Sequence, residues 1–351
     1  MNFASINAKI KAMRGNLLPY AIFESLCRMD NVEQTARALT GYTPYANVLA
    51  RFSGGEVHRG MLEQYLIFSL SEEFMRIYRF ISDFNIRKYM RAFFLDFELS
   101  IIKTLFCTVF DERDISYSAP DLNLLFGKDM NIDASNLISS RDLGEFIQSL
   151  RGTELYSMLS DRITSDSTLF DIEMQIDLYY YMNLWRRQRQ HLDTKNRGIM
   201  ERIKGVEIDM RNIMLVWRLK KYYGMDDNLV YAYLIPIHGR LSRAKLVRMV
   251  NCLSSADVEK EIEDSPYGRV FGAMEDIERS FYMEMSRVYR HIERSNPNSL
   301  ATIASYVFHK TLEIRNITSL LEGVRYKLTA DEIMQYLYLP DKVDSERKEA
   351  P

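Results

Sequence analysis

Two acidic residues in this chain each stand three positions before an asparagine inside a strongly apolar run: Asp209 with Asn212, and Glu313 with Asn316. On a helix, residues three apart share a face, so each pair presents a carboxylate beside an amide. Such a pair can ligate a hard cation through oxygen or hold a carboxylate for proton transfer. It can also do no chemistry and hydrogen-bond a neighbouring helix end, as buried polar groups require. The structural use is the stronger reading. A third acid in the same pattern, Glu98, is followed by Ile101 where the asparagine would stand, so a three-fold ligand set would be broken there.

Each acid belongs to a longer pattern. Tyr45, Tyr156 and Tyr267 close the runs GYTPY, RGTELY and EDSPY and lie 111 residues apart. Glu98 and Asp209 follow the first two tyrosines at 53 residues, and Glu313 follows the third at 46. Tyr222 and Tyr326 come 13 residues after Asp209 and Glu313, each behind a basic residue, Lys221 or Arg325. The three repeated tyrosines sit by turn signals at expected helix starts. They read as anchors that pack a helix entrance against the core, in preference to ligand-binding groups. The period exceeds the roughly 20–50 residues of common solenoids, so each copy is domain-sized. The expected repeats are 1–118, 119–229 and 230–340, followed by a charged tail, 341–351, expected to be disordered.

The elements that must position these residues are helices. Leu62, Leu66, Leu70, Phe74, Ile77 and Phe80-Ile81 trace one 3.6-residue stripe through residues 60–82, and Leu178, Tyr181 and Trp185 a second. Ile213, Val216 and Leu219 form a third, and Val270, Met274, Ile277, Phe281 and Met285 a fourth. No sustained period-2 alternation is present. With 15 Gly and 8 Pro among 351 residues, turns are few for a β-rich chain. The expected class is all-α. Breaks are expected at 118–123, 223–228, 234–240 and 295–299, where Gly, Pro, Asn and Asp cluster.

Hydrophobic content of 47% and charge of 27% are those of a globular protein with a sizeable core. A net charge of −2 supplies no global field for nucleic acid or anionic lipid. Cys27, Cys107 and Cys252 form no disulfide framework and no CxxC pair, as expected of a reducing compartment. No apolar run reaches the roughly 20 residues that span a bilayer. His58, His191, His238, His291 and His309 are isolated, without a zinc motif. Phosphate loops, dinucleotide fingerprints and nucleophile elbows are also missing. No catalytic residue, cofactor or metal is therefore expected. The run from Trp185 to His191, with Lys195 and Arg197, is the densest basic cluster. It reads as a solvated face or a contact for an acidic partner protein, and less well as an RNA surface.

The run from Glu207 through Asp209-Met210-Arg211-Asn212-Ile213 to Tyr223 resembles the signature of a known family. So do Tyr233 to Ser242 and Leu312-Glu313-Ile314-Arg315-Asn316-Ile317. Together they resemble the C subunits of the A/V-type rotary ATPases, counterparts of the d subunit of the vacuolar ATPase. The first repeat departs most, with Ser100-Ile101 in place of Arg-Asn. The resemblance implies three helical units in a funnel about a pseudo-three-fold axis. It also implies a non-catalytic rotor part between the central-stalk subunits and the membrane proteolipid ring, cytoplasmic and peripherally attached to the membrane. The alternative is a helical scaffold or adaptor unrelated to rotary machines.

Overall fold

The structure, a computed structural model, describes residues 3–42, 45–46, 59–111, 132, 134–163, 167–272 and 276–339. The chain divides into two compact units, Met1–Ser82 with Ala273–Pro351, and Asp83–Gly272. In chain order the first unit contributes α1 (Phe3–Arg14), α2 (Tyr20–Cys27), α3 (Val32–Thr40) and α4 (Arg59–Phe80). The second holds α5 (Phe84–Phe110), α6 (Ala134–Ser139), α7 (Leu143–Ser149), α8 (Glu154–Arg162), α9 (Leu169–His191) and α10 (Thr194–Arg218). It continues with α11 (Asp227–Tyr233), α12 (Arg243–Val250), α13 (Ser255–Glu263) and the single turn α14 (Gly268–Phe271). The first unit resumes with α15 (Ile277–Ser295), α16 (Leu300–Arg325) and α17 (Ala330–Tyr336). No strand occurs among the described residues, in keeping with the all-α expectation.

In the first unit α16 is the axis. It packs against α1, α2, α3, α4, α15 and α17, and its buried residues run around the whole helix from Leu300 to Val324. A helix apolar on all sides has to be enclosed. By contrast α15 buries one stripe, Ile277, Phe281, Met285, Tyr289 and Ile292. Each such side chain contributes about 1.5–3 kcal/mol of burial. The helix starts later than the apolar stripe through Val270 suggested, because Asp276 caps it by accepting from Arg279 N at 2.8 Å. Met274 of that stripe lies outside the described residues.

In the second unit α5 and α9 lie antiparallel, tied by Lys103 to Asp177 and by Cys107 to Glu173. Side-chain caps begin the long helices: Asp83 for α5, Thr168 with Asp171 as a capping box for α9, and Asp193 for α10. The expected break at 234–240 falls between helices, and those at 223–228 and 295–299 contain the breaks at Gly224–Asp226 and Asn296–Ser299. The break at 118–123, the 118/119 boundary, His58 and the tail 341–351 lie outside the described residues. The 229/230 boundary falls inside α11, so the chain turns a few residues earlier, at Gly224–Asp226.

The two long helices α10 and α16 end alike. After α10 a wider π-turn, Leu219–Tyr223, stops at Gly224 with φ 53°. At the end of α16, Lys327 takes φ 55°, with Leu328 N donating to Gly323 O at 3.0 Å and Lys327 N to Val324 O at 3.1 Å. This left-handed cap favours glycine, and a side chain there costs about 1 kcal/mol. Lys327→Gly is therefore expected to stabilise the first unit by about 0.5–1 kcal/mol, read as a raised urea midpoint. A lowered midpoint would show that the lysine side chain has a role the cap does not explain.

Candidate functional site

Asp209 projects from α10 and is 1% exposed. Its Oδ1 accepts from Gly239 N at 2.9 Å, and its Oδ2 from Arg240 N at 2.6 Å and Leu241 N at 2.8 Å. Tyr267 completes the shell by donating its hydroxyl to Oδ2 at 2.7 Å. One turn on, Asn212 holds both backbone groups of Ile235, accepting from N at 3.0 Å and donating to O at 2.9 Å. The loop between α11 and α12 is thereby pinned to α10 at its start and its end. The close approach needs glycine: a Cβ on Gly239 would lie 2.5 Å from the carbonyl of Gly205 and 2.8 Å from Asp209 Oδ2.

The first unit repeats the device. Glu313 on α16, also buried, accepts from Leu18 N at 2.5 Å and from the Tyr45 hydroxyl at 2.5 Å. Asn316 holds Tyr338, accepting from N at 2.8 Å and donating to O at 3.0 Å. Here a cation joins. Lys310, 1% exposed, donates to Glu313 Oε1 at 2.7 Å and to Tyr45 Oη at 2.8 Å. Burial, and then the charge of Glu313, push the Tyr45 hydroxyl well above the ordinary phenol range, so it stays a donor. Leu18 precedes α2 as Leu241 precedes α12, and Tyr45 follows α3 as Tyr267 follows α13. Asp209 thus clamps Tyr267, 58 residues on in the sequence, and Glu313 clamps Tyr45, 268 residues back.

The remaining members of the pattern, Glu98 and Tyr156, behave differently. Both oxygens of Glu98 meet the Arg91 guanidinium, at 2.8 and 2.9 Å, along the same helix. Ile101, in the asparagine position, is core at 1% exposure. Tyr156 lies in the first turn of α8, where its backbone N is capped by Thr153 Oγ1 at 3.0 Å and its hydroxyl turns to Gln148 at 3.4 Å. All three tyrosines thus stand at helix starts, Tyr45 and Tyr156 within the helix and Tyr267 as the cap of α14, but the Tyr156 hydroxyl is directed to Gln148. Sequence reading missed Lys310 and the Gly205–Gly239 contact. A lone lysine one turn before Glu313 in an apolar run was the available sign of the first.

A second buried ion pair lies near Asp209 on α10. Glu207 accepts from Lys204 Nζ at 2.8 Å and from the Tyr181 hydroxyl at 2.8 Å, with Arg211 at 3.4 Å. Burial alone would raise the Glu207 carboxyl, but Lys204 and Arg211, with the two short hydrogen bonds, outweigh it and hold it at about 2. Against an unfolded value of 4.5, the folded state prefers the charged form. Its contribution is present above pH 4.5 and is lost as pH falls from 4.5 to 2. The lost contribution is about 3 kcal/mol. Glu207→Gln is expected to lower stability at pH 5 and to flatten the acid limb below it by about one proton. Equal destabilisation of the variant at pH 5 and pH 3, read by Trp185 and Trp217 fluorescence in urea, would remove Glu207 from that limb.

The basic cluster at the end of α9 is largely engaged within its own unit. Arg186 and Arg187 both reach Glu154, and Arg189 lies 4.0 Å from Glu201 and over the Trp185 ring. Among the described residues no group of three or more His, Cys, Asp or Glu is placed to hold a metal ion. The carboxylates are saturated by donors from the fold itself. What the arrangement can do is hold loops to helices.

Residues 6–336 match the family described as ATP synthase (C/AC39) subunit. The A-type ATP synthase C subunit of Methanococcoides burtonii is 23% identical over 354 residues, covering 96% of this chain and 94% of its own length. That of Methanocaldococcus jannaschii is 22% identical over 354 residues, covering 95% and 86%. That of Methanosarcina mazei is 23% identical over 353 residues, covering 96% and 93%. With the match running through nearly the whole sequence, the chain belongs to the ATP synthase (C/AC39) subunit family.

Proposed function

We propose that this protein is the rotor coupler of its complex, joining the central stalk to the membrane proteolipid ring through shape and stiffness. As a family member it is a non-catalytic subunit of an A/V-type ATP synthase, with partners inside that complex. No helix among the described residues is long and apolar enough to cross a membrane. Attachment at the cytoplasmic membrane surface would then be peripheral, through the ring.

The observation that carries the reading is the repeated clamp. Each of two long helices fixes the tyrosine of another copy through a buried acid, and pins a following backbone segment through a buried asparagine. Copies 1–118, 119–229 and 230–340, linked in this way, would form a three-fold funnel whose joints resist slipping. An ion crossing 100 mV delivers about 2.3 kcal/mol per charge, and a coupler has to pass that work on without opening locally.

Affinity purification of the tagged chain from host membranes solubilised in mild detergent tests the proposal. Recovery of a small hydrophobic proteolipid with nucleotide-binding subunits is the expected result. A soluble complex without proteolipid, or one rich in RNA, would overturn it.

A further inference from the structure

The first unit contains a cavity of about 1050 Å³ between α1, the end of α15 and the start of α16. Its lining carries four basic side chains, Lys11, Arg14, Arg290 and Arg294, against one carboxylate, Glu293. Arg14 already takes both oxygens of Glu293, at 2.8 and 3.0 Å. Lys11 and Arg294 make no ion pair among the described residues. Like charges gathered around one recess repel, and they persist most easily where an anion offsets them.

A second observation points into the same recess. Asn7 is 8% exposed and lines the cavity. Its Nδ2 donates to Pro297 O at 2.7 Å and to Asn298 Oδ1 at 3.1 Å, which fixes the orientation of the amide. Its Oδ1 is buried and has no hydrogen-bond partner among the described residues. A buried acceptor left unpaired is unfavourable, so the site calls for a donor as well as an anion.

We propose that this cavity binds a phosphate ester that carries a free hydroxyl group. The phosphate neutralises the basic lining, and the hydroxyl supplies the hydrogen bond that Asn7 Oδ1 lacks. A polyol phosphate has both features, whether free in solution or as the headgroup of a lipid such as phosphatidylglycerol. The same cavity holds a reporter. His309 lines it, bonded to Ser286 and Ser305. Burial, with the charges of Arg290 and Arg14, pushes its imidazole down to about 4 against the backbone bond from Ser305. A bound dianion would offset those charges and raise it.

The experiment uses the full chain and three probes: glycerol 3-phosphate, methyl phosphate, and vesicles of phosphatidylglycerol in phosphatidylcholine. Calorimetry and vesicle flotation measure binding, and NMR follows the His309 ring. Saturable binding of glycerol 3-phosphate is expected, about three- to tenfold tighter than methyl phosphate, for the one added hydrogen bond. His309 should rise by about one pH unit on saturation. The pair Lys11→Ala with Arg294→Ala removes two exposed side chains outside the core and should weaken binding at least about tenfold. Binding of the vesicles alone, sensitive to that pair, would assign the ligand to a lipid headgroup and sustain the proposal. Failure of every probe to bind, or binding unchanged in the double variant, would overturn it.

Discussion

Asp209→Ala is expected to cost about 3–5 kcal/mol, more than any truncation of a surface side chain. The carboxylate takes four donors: three consecutive backbone N–H groups, from Gly239, Arg240 and Leu241, and the Tyr267 hydroxyl. Alanine leaves all four without their acceptor, and each buried donor so orphaned costs about 1–3 kcal/mol where water cannot replace the loss. Leu241 and Tyr267 are buried and lose their partner outright, whereas Gly239 and Arg240 are exposed, so water offsets part of their loss. Tyr267→Phe removes one donor and keeps the other three, so it should cost only about 1 kcal/mol. The chain has two tryptophans, Trp185 and Trp217, and both lie in the unit that holds Asp209. Their fluorescence in urea therefore reads that unit alone. Amide exchange at residues 239–241 should accelerate in Asp209→Ala and stay near wild type in Tyr267→Phe. A loss below about 1 kcal/mol for Asp209→Ala would mean that the loop is held by its apolar residues Ile235, Ile237 and Leu241, and not by the carboxylate.

The class of the fold and the burial of these acids were legible because both rest on local pattern. Apolar residues at helical spacing surround Asp209 and Glu313, and a charge in such a run must be paired when it is buried. The partners were not legible, for physical reasons. Asp209 is satisfied mostly by backbone N–H groups, which every residue but proline carries, so residue type gives no sign of them. Glu313 finds Tyr45 across 268 positions of chain, and no spacing rule reaches that far. Regular spacing put Tyr45, Tyr156 and Tyr267 alike at helix starts, but spacing carries no sign of which hydroxyl meets a carboxylate, and that of Tyr156 is directed to Gln148. Ile101 pointed correctly at a difference in the first copy, where Glu98 turns to Arg91 along its own helix. A clamp between copies needs both the amide and a following loop for it to hold.

Lys310 stands in the second clamp where the first has two further backbone N–H groups, and that difference predicts an unequal response. Lys310 lies against Glu313 and the Tyr45 hydroxyl, while the acceptors of Asp209 are met by neutral donors throughout. A buried carboxylate in this fold can therefore be held without a lysine. In Lys310→Met, Glu313 keeps Leu18 N and the Tyr45 hydroxyl, two of its donors. In Glu313→Gln, Lys310 keeps its charge at 1% exposure with no anion on Oε1 to balance it. Breaking a buried pair by removing one partner costs about 3–5 kcal/mol, chiefly through the charge left behind. Glu313→Gln should reach that range, and Lys310→Met should cost about 1–2 kcal/mol less. Joining the two substitutions removes the stranded charge, so the double variant should be more stable than Glu313→Gln alone. A coupling energy of about 1–3 kcal/mol is expected from the cycle. Circular dichroism resolves the unfolding of this unit, which has no tryptophan, alongside the fluorescence transition of the other. If Lys310→Met were the costlier single change, the lysine would be the part that holds the N-terminal segment to α16, through Tyr45, and the acid would serve the lysine. The equivalence of the two clamps would then fail, and with it the argument that one joint is used twice to stiffen the chain.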